Sequence, residues 1–307
     1  MGAADVVPGV SGGTIAFIAG IYEELIETID KLDMGFFKTW KRDGFKNAFK
    51  AYNISFLLAL FGGIAISILS LAKLITYLLD VYPLLLWAFF FGLIIASILY
   101  IGKQITRYNI PVIVAGILGI VISYYITIAE PVHTPTSYLF IFLSGVIAII
   151  AMILPGISGS FILLLLGSYA VILGTVQRFV DGLMSTDWPA VKDSFLRLLT
   201  FMLGCIVGLK IFSKVLTYLF KNYQNITLSL LTGFMIGALN KVWPWKEILS
   251  YRENSHGEQV PLMEKSILPA QFDGDPKILW VFVFAIIGFL TIFLLERFAN
   301  AKGKNEY

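Results

Sequence analysis

The chain has 307 residues, of which 58% are apolar and only 14% are charged, and its mean hydropathy is +0.82. Soluble globular proteins carry about 25% charged residues, so the composition excludes a soluble enzyme and predicts an all-α polytopic membrane protein. The net charge of +3 is too small to indicate a nucleic-acid partner.

The membrane-spanning segments follow from the length of the apolar runs. A spanning helix needs about 20 mostly apolar residues. Between Pro131 and Gln177 the chain has no Lys, Arg, Asp or Glu, and Pro155-Gly156 interrupts this stretch as Pro8-Gly9 interrupts the N-terminus. The predicted spans are 54–79, 83–101, 110–129, 196–220, 226–243 and 278–296.

The distribution of Lys and Arg predicts the orientation, because basic residues are retained in cytoplasmic loops. Segment 31–53 mixes lysines with aromatic residues at helical spacing, so we expect an amphipathic helix on the cytoplasmic leaflet. Alternating spans then place the 243–277 loop outside the cytoplasm. The same count places the C-terminus in the cytoplasm.

The sequence is duplicated. The run from Pro8 to Ile15 recurs 147 positions later, from Pro155 to Ile162, and a second block recurs at an offset of 141 that relates Tyr82 to Tyr223. Each half crosses the membrane an odd number of times, so we predict two inverted repeats, 1–130 and 131–307. Each contains a Pro-Gly-broken, re-entrant helical hairpin and about three transmembrane helices, as in many secondary transporters. Only seven residues precede Pro8, so either the natural N-terminus is longer, which we favour, or the first hairpin lacks an arm.

The two Pro-Gly-x-Ser-Gly turns predict an anion site. Each turn stops a helix and starts another, and helix N-termini with hydroxyl groups suit an oxyanion such as phosphate. The alternative is a simple helix break with no ligand. The candidate binding residues are Pro8, Gly9, Ser11, Gly12, Gly13, Thr14, Pro155, Gly156, Ser158, Gly159 and Ser160.

Charged residues near these turns are further candidates. Lys210 lies inside a predicted span, where an unpaired charge is costly, so it could neutralise a bound anion. Arg178 follows the second hairpin and could contact phosphate. Asp5 and Glu23 flank the first turn and could carry a coupling proton.

The same residues argue against catalysis. Neither turn has a His or Cys nearby, and no carboxylate pair has metal-ligand spacing, so we expect no enzyme, metal or cofactor. From the residues alone the prediction is an anion-handling secondary transporter. A small-anion transporter or channel is the alternative to a carrier of larger substrates.

Residues 1–14, Met-Gly-Ala-Ala-Asp-Val-Val-Pro-Gly-Val-Ser-Gly-Gly-Thr, resemble the signature of a bacterial and archaeal family of polyprenyl-phosphate (undecaprenyl-phosphate) translocases. The segment Leu-Pro-Gly-Ile-Ser-Gly-Ser at 154–160 resembles that family's second motif. This resemblance implies a multi-pass flippase of the bacterial cytoplasmic membrane. It would return undecaprenyl phosphate from the outer to the inner leaflet for cell-envelope (peptidoglycan) synthesis. Coupling to protons or sodium and a homo-oligomeric state remain open.

Overall fold

The computed structural model describes residues 1–2, 11–131, 137–253 and 259–303. Its helices are α1 (Gly12–Ile18), α2 (Tyr22–Lys31), α3 (Gly35–Asp43), α4 (Phe45–Ala51), α5 (Ile54–Val81), α6 (Pro83–Gly102), α7 (Ile110–Ile128), α8 (Tyr138–Ile153), α9 (Gly159–Leu165), α10 (Ser168–Ser185), α11 (Trp188–Ala238) and α12 (Ile278–Gly303). Two strands, β1 (Lys246–Glu253) and β2 (Gln259–Ser266), and a short 3₁₀ helix (Pro269–Gln271) lie between α11 and α12.

Several described helices are long and apolar enough to cross a membrane. They are Ile54–Leu71 within α5, α6, α7 and α11, and α9 with α10 forms a further candidate that bends by 103° at the break between the two helices. The shorter apolar helices are α8 and Ile278–Leu294 of α12. The chain is therefore a mostly helical, multi-pass membrane protein, as the composition predicts.

The starts of these helices follow from local sequence. Proline occupies the first turn of α6, α7 and α11, where its missing N–H costs no hydrogen bond. The Asn109 side chain accepts a hydrogen bond from the Val112 N–H at the start of α7, and Asp187 caps α11 through Ala190 N. The spans predicted at 54–79, 83–101 and 110–129 agree with α5, α6 and α7 to within two residues at each end.

The spans predicted at 196–220 and 226–243 differ from the structure. Helix α11 runs through both of them and is interrupted at Tyr223, where φ is −138° and ψ is 43°. It also ends at Ala238 instead of residue 243. The residues that follow form turns that are packed in the core: Val242 is fully buried and Trp245 is 5% exposed.

The elements repeat with the spacing of the sequence duplication. Helices α1 and α9 have seven residues each and begin and end 147 positions apart, and the glycines that follow them, Gly20 and Gly167, have φ of 72° and 66°. At the other offset, Tyr82 between α5 and α6 has φ −134° and ψ 48°, close to the values of Tyr223. Equivalent sequence thus adopts equivalent backbone.

Helix α6 runs antiparallel to the part of α11 after Tyr223, which is its equivalent in the duplication. Near the start of α6, the Trp87 ring lies 3.5 Å from the Lys246 ammonium, which follows the end of α11. Beyond the end of α6, the Thr106 N–H donates to the Asn225 side chain at 2.9 Å. The start of α6 thus lies near the end of α11, and the end of α6 lies near the residues just after Tyr223.

Glycines allow two matching helix crossings. A Cβ atom at Gly92 in α6 would lie 1.8 Å from the Ala285 carbonyl oxygen of α12. A Cβ atom at Gly233, the equivalent position in α11, would lie 2.2 Å from the Gly116 carbonyl oxygen of α7. Only glycine permits this approach of backbones. Helix α6 thus pairs with α12, and the end of α11 pairs with α7.

The 243–277 segment, predicted as a loop, contains a two-stranded hairpin within an otherwise helical membrane protein. Strands β1 and β2 pair antiparallel, with Lys246 opposite Ser266. The indole N–H groups of Trp243 and Trp245 donate to the carbonyl oxygens of Ile267 and Pro276, both at 2.9 Å. These bonds hold the residues before β1 against the residues that follow β2.

Segment 31–53 forms two helices, α3 and α4, instead of the single amphipathic helix that was predicted. Gly44 separates them with φ of 82°. Aromatic rings follow one another along both helices at centroid distances of 5.5 to 6.4 Å, and most of them are exposed. The cytoplasmic placement of this segment stays a prediction.

Candidate functional site

The two Pro-Gly turns contact each other directly. The Ser11 hydroxyl donates to the Leu154 carbonyl oxygen at 3.1 Å, and the Gly156 N–H donates to the Thr14 hydroxyl at 3.0 Å. Ser11 also caps α1, since its side chain accepts from the Gly13 N–H at 3.1 Å. Segments that are more than 140 residues apart in sequence thus form one unit.

Glycine is required where the turns meet. A Cβ atom at Gly13 would lie 2.4 Å from the Ile153 carbonyl oxygen, which is closer than any real contact. Gly156 has φ of 83°, and a Cβ atom there would lie 2.8 Å from the Phe234 carbonyl oxygen. The left-handed backbone and the close approach both favour glycine at this position.

The hydroxyl groups of the two turns differ in their surroundings. Ser11 and Thr14 are buried, with 3% and 1% exposure, and both are engaged by protein partners. Ser158 and Ser160 are more open, and their hydroxyl oxygens lie 3.0 Å apart. The first turn therefore fixes the second, while the second presents a hydroxyl pair.

The other described residues of the two turns have packing roles. Gly12 and Pro155 are buried, and a Cβ atom at Gly159 would lie 2.7 Å from the Ala148 carbonyl oxygen of α8. Asp5, Pro8 and Gly9 lie outside the described residues.

Lys210 contacts the carboxyl end of α2, and its role as a counter-charge for the anion stays a prediction. Its ammonium group donates to the Ile29 carbonyl oxygen at 3.2 Å and to the Asp30 carbonyl oxygen. These are among the last carbonyls of α2, and the carboxyl end of a helix favours a positive charge. Lys210 thus stabilises the carboxyl end of a helix from the first half.

The other predicted charges also have surroundings of their own. Arg178 is exposed and lines an open cleft of about 430 Å³ at the α10–α11 connection, together with Gln177 and Asp181. Glu23 is exposed in the first turn of α2. The roles of Arg178 at the phosphate and of Glu23 in coupling stay predictions.

A buried charged cluster next to the second turn was missed by the sequence reasoning. The ammonium groups of Lys241 and Lys246 lie 3.0 and 3.4 Å from the same Glu264 carboxylate oxygen. The Lys241 ammonium also lies 4.7 Å from the ring centroid of Phe161, the residue that follows Ser160. We call Lys241, Lys246 and Glu264 the lysine cluster.

Burial controls the electrostatics of the lysine cluster. The side chains of Lys241, Lys246 and Glu264 are 13%, 7% and 17% exposed. Burial lowers the pKa of Lys246 to about 8, although the charge of Glu264 opposes this shift. Burial also tends to raise the pKa of Glu264, but the charges of the two lysines outweigh it, so that this pKa is lowered.

The sequence contains a weak signal for this cluster. Lys241 and Lys246 are interleaved with Trp243 and Trp245 just after an apolar run, and lysines that pack on aromatic rings are a recurrent arrangement. Their partner Glu264 comes from another strand, which no local pattern reveals. Within the described ranges, no three His, Cys, Asp or Glu side chains are grouped so that they could hold a metal ion.

Comparisons with known proteins give a consistent result. Residues 1–260 match the model of a family described as undecaprenyl phosphate translocase-like. A polyprenyl-phosphate transporter of Vibrio cholerae serotype O1 is 48% identical over 273 residues, which is 89% of this chain and 84% of the relative. A polyprenyl-phosphate transporter of Staphylococcus aureus is 32% identical over 256 residues, 80% of this chain and 83% of the relative. No solved structure matches.

Proposed function

Since the chain belongs to the undecaprenyl phosphate translocase-like family, we propose that it carries a polyprenyl phosphate across a membrane. Its relatives from two bacteria are named polyprenyl-phosphate transporters, and several of its helices are long enough to span a bilayer. In this proposal the substrate is undecaprenyl phosphate, which returns from the outer to the inner leaflet of the bacterial cytoplasmic membrane. The C-terminus lies in the cytoplasm.

The head group is held at the paired turns in this proposal. The observation that carries it is the direct contact between two copies of one motif, through Ser11, Thr14 and Gly156. The contact positions the second turn, whose hydroxyl pair, Ser158 and Ser160, is open enough to bind phosphate oxygens. Hydrogen bonds to a charged acceptor are about twice as strong as neutral ones. The apolar tail stays in the lipid and trails through a lateral opening.

In this proposal, transport depends on the movement of two inverted repeats, each with a re-entrant hairpin. The antiparallel course of α6 and its equivalent in α11 supports this arrangement, since their ends meet in opposite order. In transporters with inverted repeats, movement of one unit against the other exposes a central site to each side in turn. The same movement would present the phosphate first to one leaflet and then to the other.

The charge of the phosphate requires compensation during this movement. A phosphate monoester carries close to two negative charges at neutral pH, and an unpaired buried charge is very costly. We therefore propose that the head group crosses in a protonated form or together with a proton or a sodium ion. Asp5 and Glu23 are the candidate acids in the first half.

Binding of undecaprenyl phosphate to the purified protein, measured by native mass spectrometry, tests the proposal. We expect tight binding of the lipid phosphate and weak binding of undecaprenol, which lacks the head group. A Ser158→Ala/Ser160→Ala variant should bind the lipid phosphate at least about a hundredfold more weakly, because it loses two hydrogen bonds to a charged group that contribute roughly 1.5 to 3 kcal/mol each.

The control is a Ser70→Ala/Thr200→Ala variant. Both of these hydroxyls donate to a carbonyl oxygen one turn earlier in their own helix, so their loss should leave binding unchanged. Equal affinity for inorganic phosphate and for the lipid would favour a small-anion transporter instead. A wild-type protein that binds neither would refute the head-group site at the turns.

A further inference from the structure

The lysine cluster has more positive charge and more hydrogen-bond donors than its internal partner can satisfy. Each ammonium group has three N–H donors, and both approach one oxygen of Glu264, at 3.0 and 3.4 Å. Two lysines and one carboxylate leave a net charge of +1 in a largely buried place. Such an arrangement is costly unless a further anion can share it.

The aromatic rings hold the two ammonium groups in place. Lys246 lies 3.5 Å from the ring centroid of Trp87, and Lys241 lies 4.7 Å from that of Phe161. Rings attract the cations without neutralising them, so the positive charge stays available. The side chains of Lys241 and Glu264 retain 13% and 17% exposure, so the cluster is not fully closed off from the surface.

The position of the cluster links it to the second turn. Phe161 belongs to the first turn of α9 and directly follows Ser160, whose hydroxyl is paired with that of Ser158. Lys241 thus contacts the same turn of α9 that carries Ser160. Lys246 and Glu264 lie on β1 and β2, so that the hairpin supplies two of the three charges.

We propose that Lys241 and Lys246 form a phosphate-binding site next to the second turn, and that Glu264 fills this site as an internal anion when no substrate is bound. The inference rests on the proposed function for the source of the phosphate, which is the head group of the lipid. The phosphate displaces the Glu264 carboxylate and takes over its two ammonium partners. The carboxylate then turns to the surface, where water can solvate it. No covalent bond forms or breaks.

The test measures the affinity of the full chain for undecaprenyl phosphate in detergent micelles. Lys241→Gln and Lys246→Gln should each weaken binding about tenfold, the change expected for loss of one charge-assisted contact. Glu264→Gln should strengthen binding, because the competing internal anion is removed. The matched control is Lys265→Gln, which removes the same charge from an exposed neighbour of Glu264 and should leave the affinity unchanged.

The lysine variants should weaken binding, whereas Glu264→Gln should strengthen it. Misfolding cannot explain the second result, because a variant that merely unfolds cannot bind more tightly. Equal affinities of the wild type, both lysine variants and Glu264→Gln would overturn the inference while leaving the proposed function intact. A wild type that does not bind undecaprenyl phosphate at all would instead refute the proposed function. Inorganic phosphate and undecaprenol are measured in parallel. If inorganic phosphate binds as tightly as the lipid and depends on the same lysines, the assignment to a lipid head group is wrong.

Discussion

Gly13 illustrates how one atom can decide whether the two turns meet. A methyl group at this position would lie 2.4 Å from the Ile153 carbonyl oxygen, and neither backbone can move away without breaking the contacts of Ser11 and Thr14. We expect Gly13→Ala to lower the free energy of unfolding by about 1–3 kcal/mol, the usual cost of overpacking. Thermal unfolding in detergent would measure it.

Gly62→Ala is the matched control for this substitution. Apart from its chain neighbours and the backbone of its own helix, a Cβ atom at Gly62 in α5 meets no atom within 4 Å. Alanine favours helices over glycine by roughly 1 kcal/mol, so this variant should be as stable as the wild type or more stable. An equal loss of stability in both variants would contradict the packing argument.

Lys246 gives the binding of phosphate a defined pH dependence. Its pKa is lowered to about 8 by burial, with Glu264, Lys241 and the Trp87 ring as the groups that face it. Above this pH the ammonium loses its charge, so the affinity for undecaprenyl phosphate should fall as the pH rises through about 8. The phosphate itself does not interfere, because its second pKa is about 6. The same titration in Lys246→Gln should lack this step, and a step that persists there would contradict the assignment.

The stability of the fold should depend on the titration of Lys246 as well, but it should rise with pH where the affinity falls. An unfolded lysine has a pKa of about 10.4, so between pH 8 and that value the unfolded chain binds more protons than the folded one. The contribution of Lys246 to the free energy of unfolding therefore rises with pH over this interval. Unfolding measured against pH in the wild type and in Lys246→Gln would separate this effect from binding.

At the scale of the element, Lys210 links α11 to the end of α2. Lys210→Met removes the ammonium that contacts the carbonyls of Ile29 and Asp30. We expect faster hydrogen exchange of the α2 amides, by roughly fivefold to tenfold for a loss of about 1 kcal/mol. The affinity for phosphate should not change. Lys214→Met, one turn further along with an exposed side chain, is the control. Weaker phosphate binding in the Lys210 variant alone would support its predicted role in the site.

The elements show which parts of the fold sequence reasoning can predict. Helices α5 to α7 were predicted closely because long apolar runs, with proline in the first turn of α6 and of α7, determine them locally. The repeated turns were found because the motif recurs at constant spacing. The position of Lys210 in a predicted span indicated that its charge needs a partner. It did not indicate that the carbonyl oxygens of Ile29 and Asp30 are that partner. Likewise, the lysine cluster depends on the fold of β1 and β2, which brings Glu264 to residues about 20 positions earlier.

At the scale of the whole molecule, the proposed inverted topology predicts which residues face each side of the membrane. Tyr108 and Asn222 lie near one end of the antiparallel pair of α6 and α11, and Lys265 lies near the other end. In a Cys205→Ala background, single cysteines at Tyr108 and Asn222 should react with a membrane-impermeant maleimide only from the cytoplasmic side. A cysteine at Lys265 should react only from the opposite side. Labelling of Tyr108→Cys and Lys265→Cys from the same side would refute the topology.

The glycine crossings of α6 with α12 and of α7 with α11 have a consequence for the origin of such a chain. Gly92 and Gly233 are equivalent in the duplication, yet each packs against a helix from the other half. A polypeptide of half the length would therefore lack the surface on which its own last helix rests. On the proposed inverted arrangement, an ancestor encoded by a single unduplicated gene could fold only as a pair of copies inserted in opposite directions that exchanged this helix. Fusion of two such genes would then have made permanent an association that already existed.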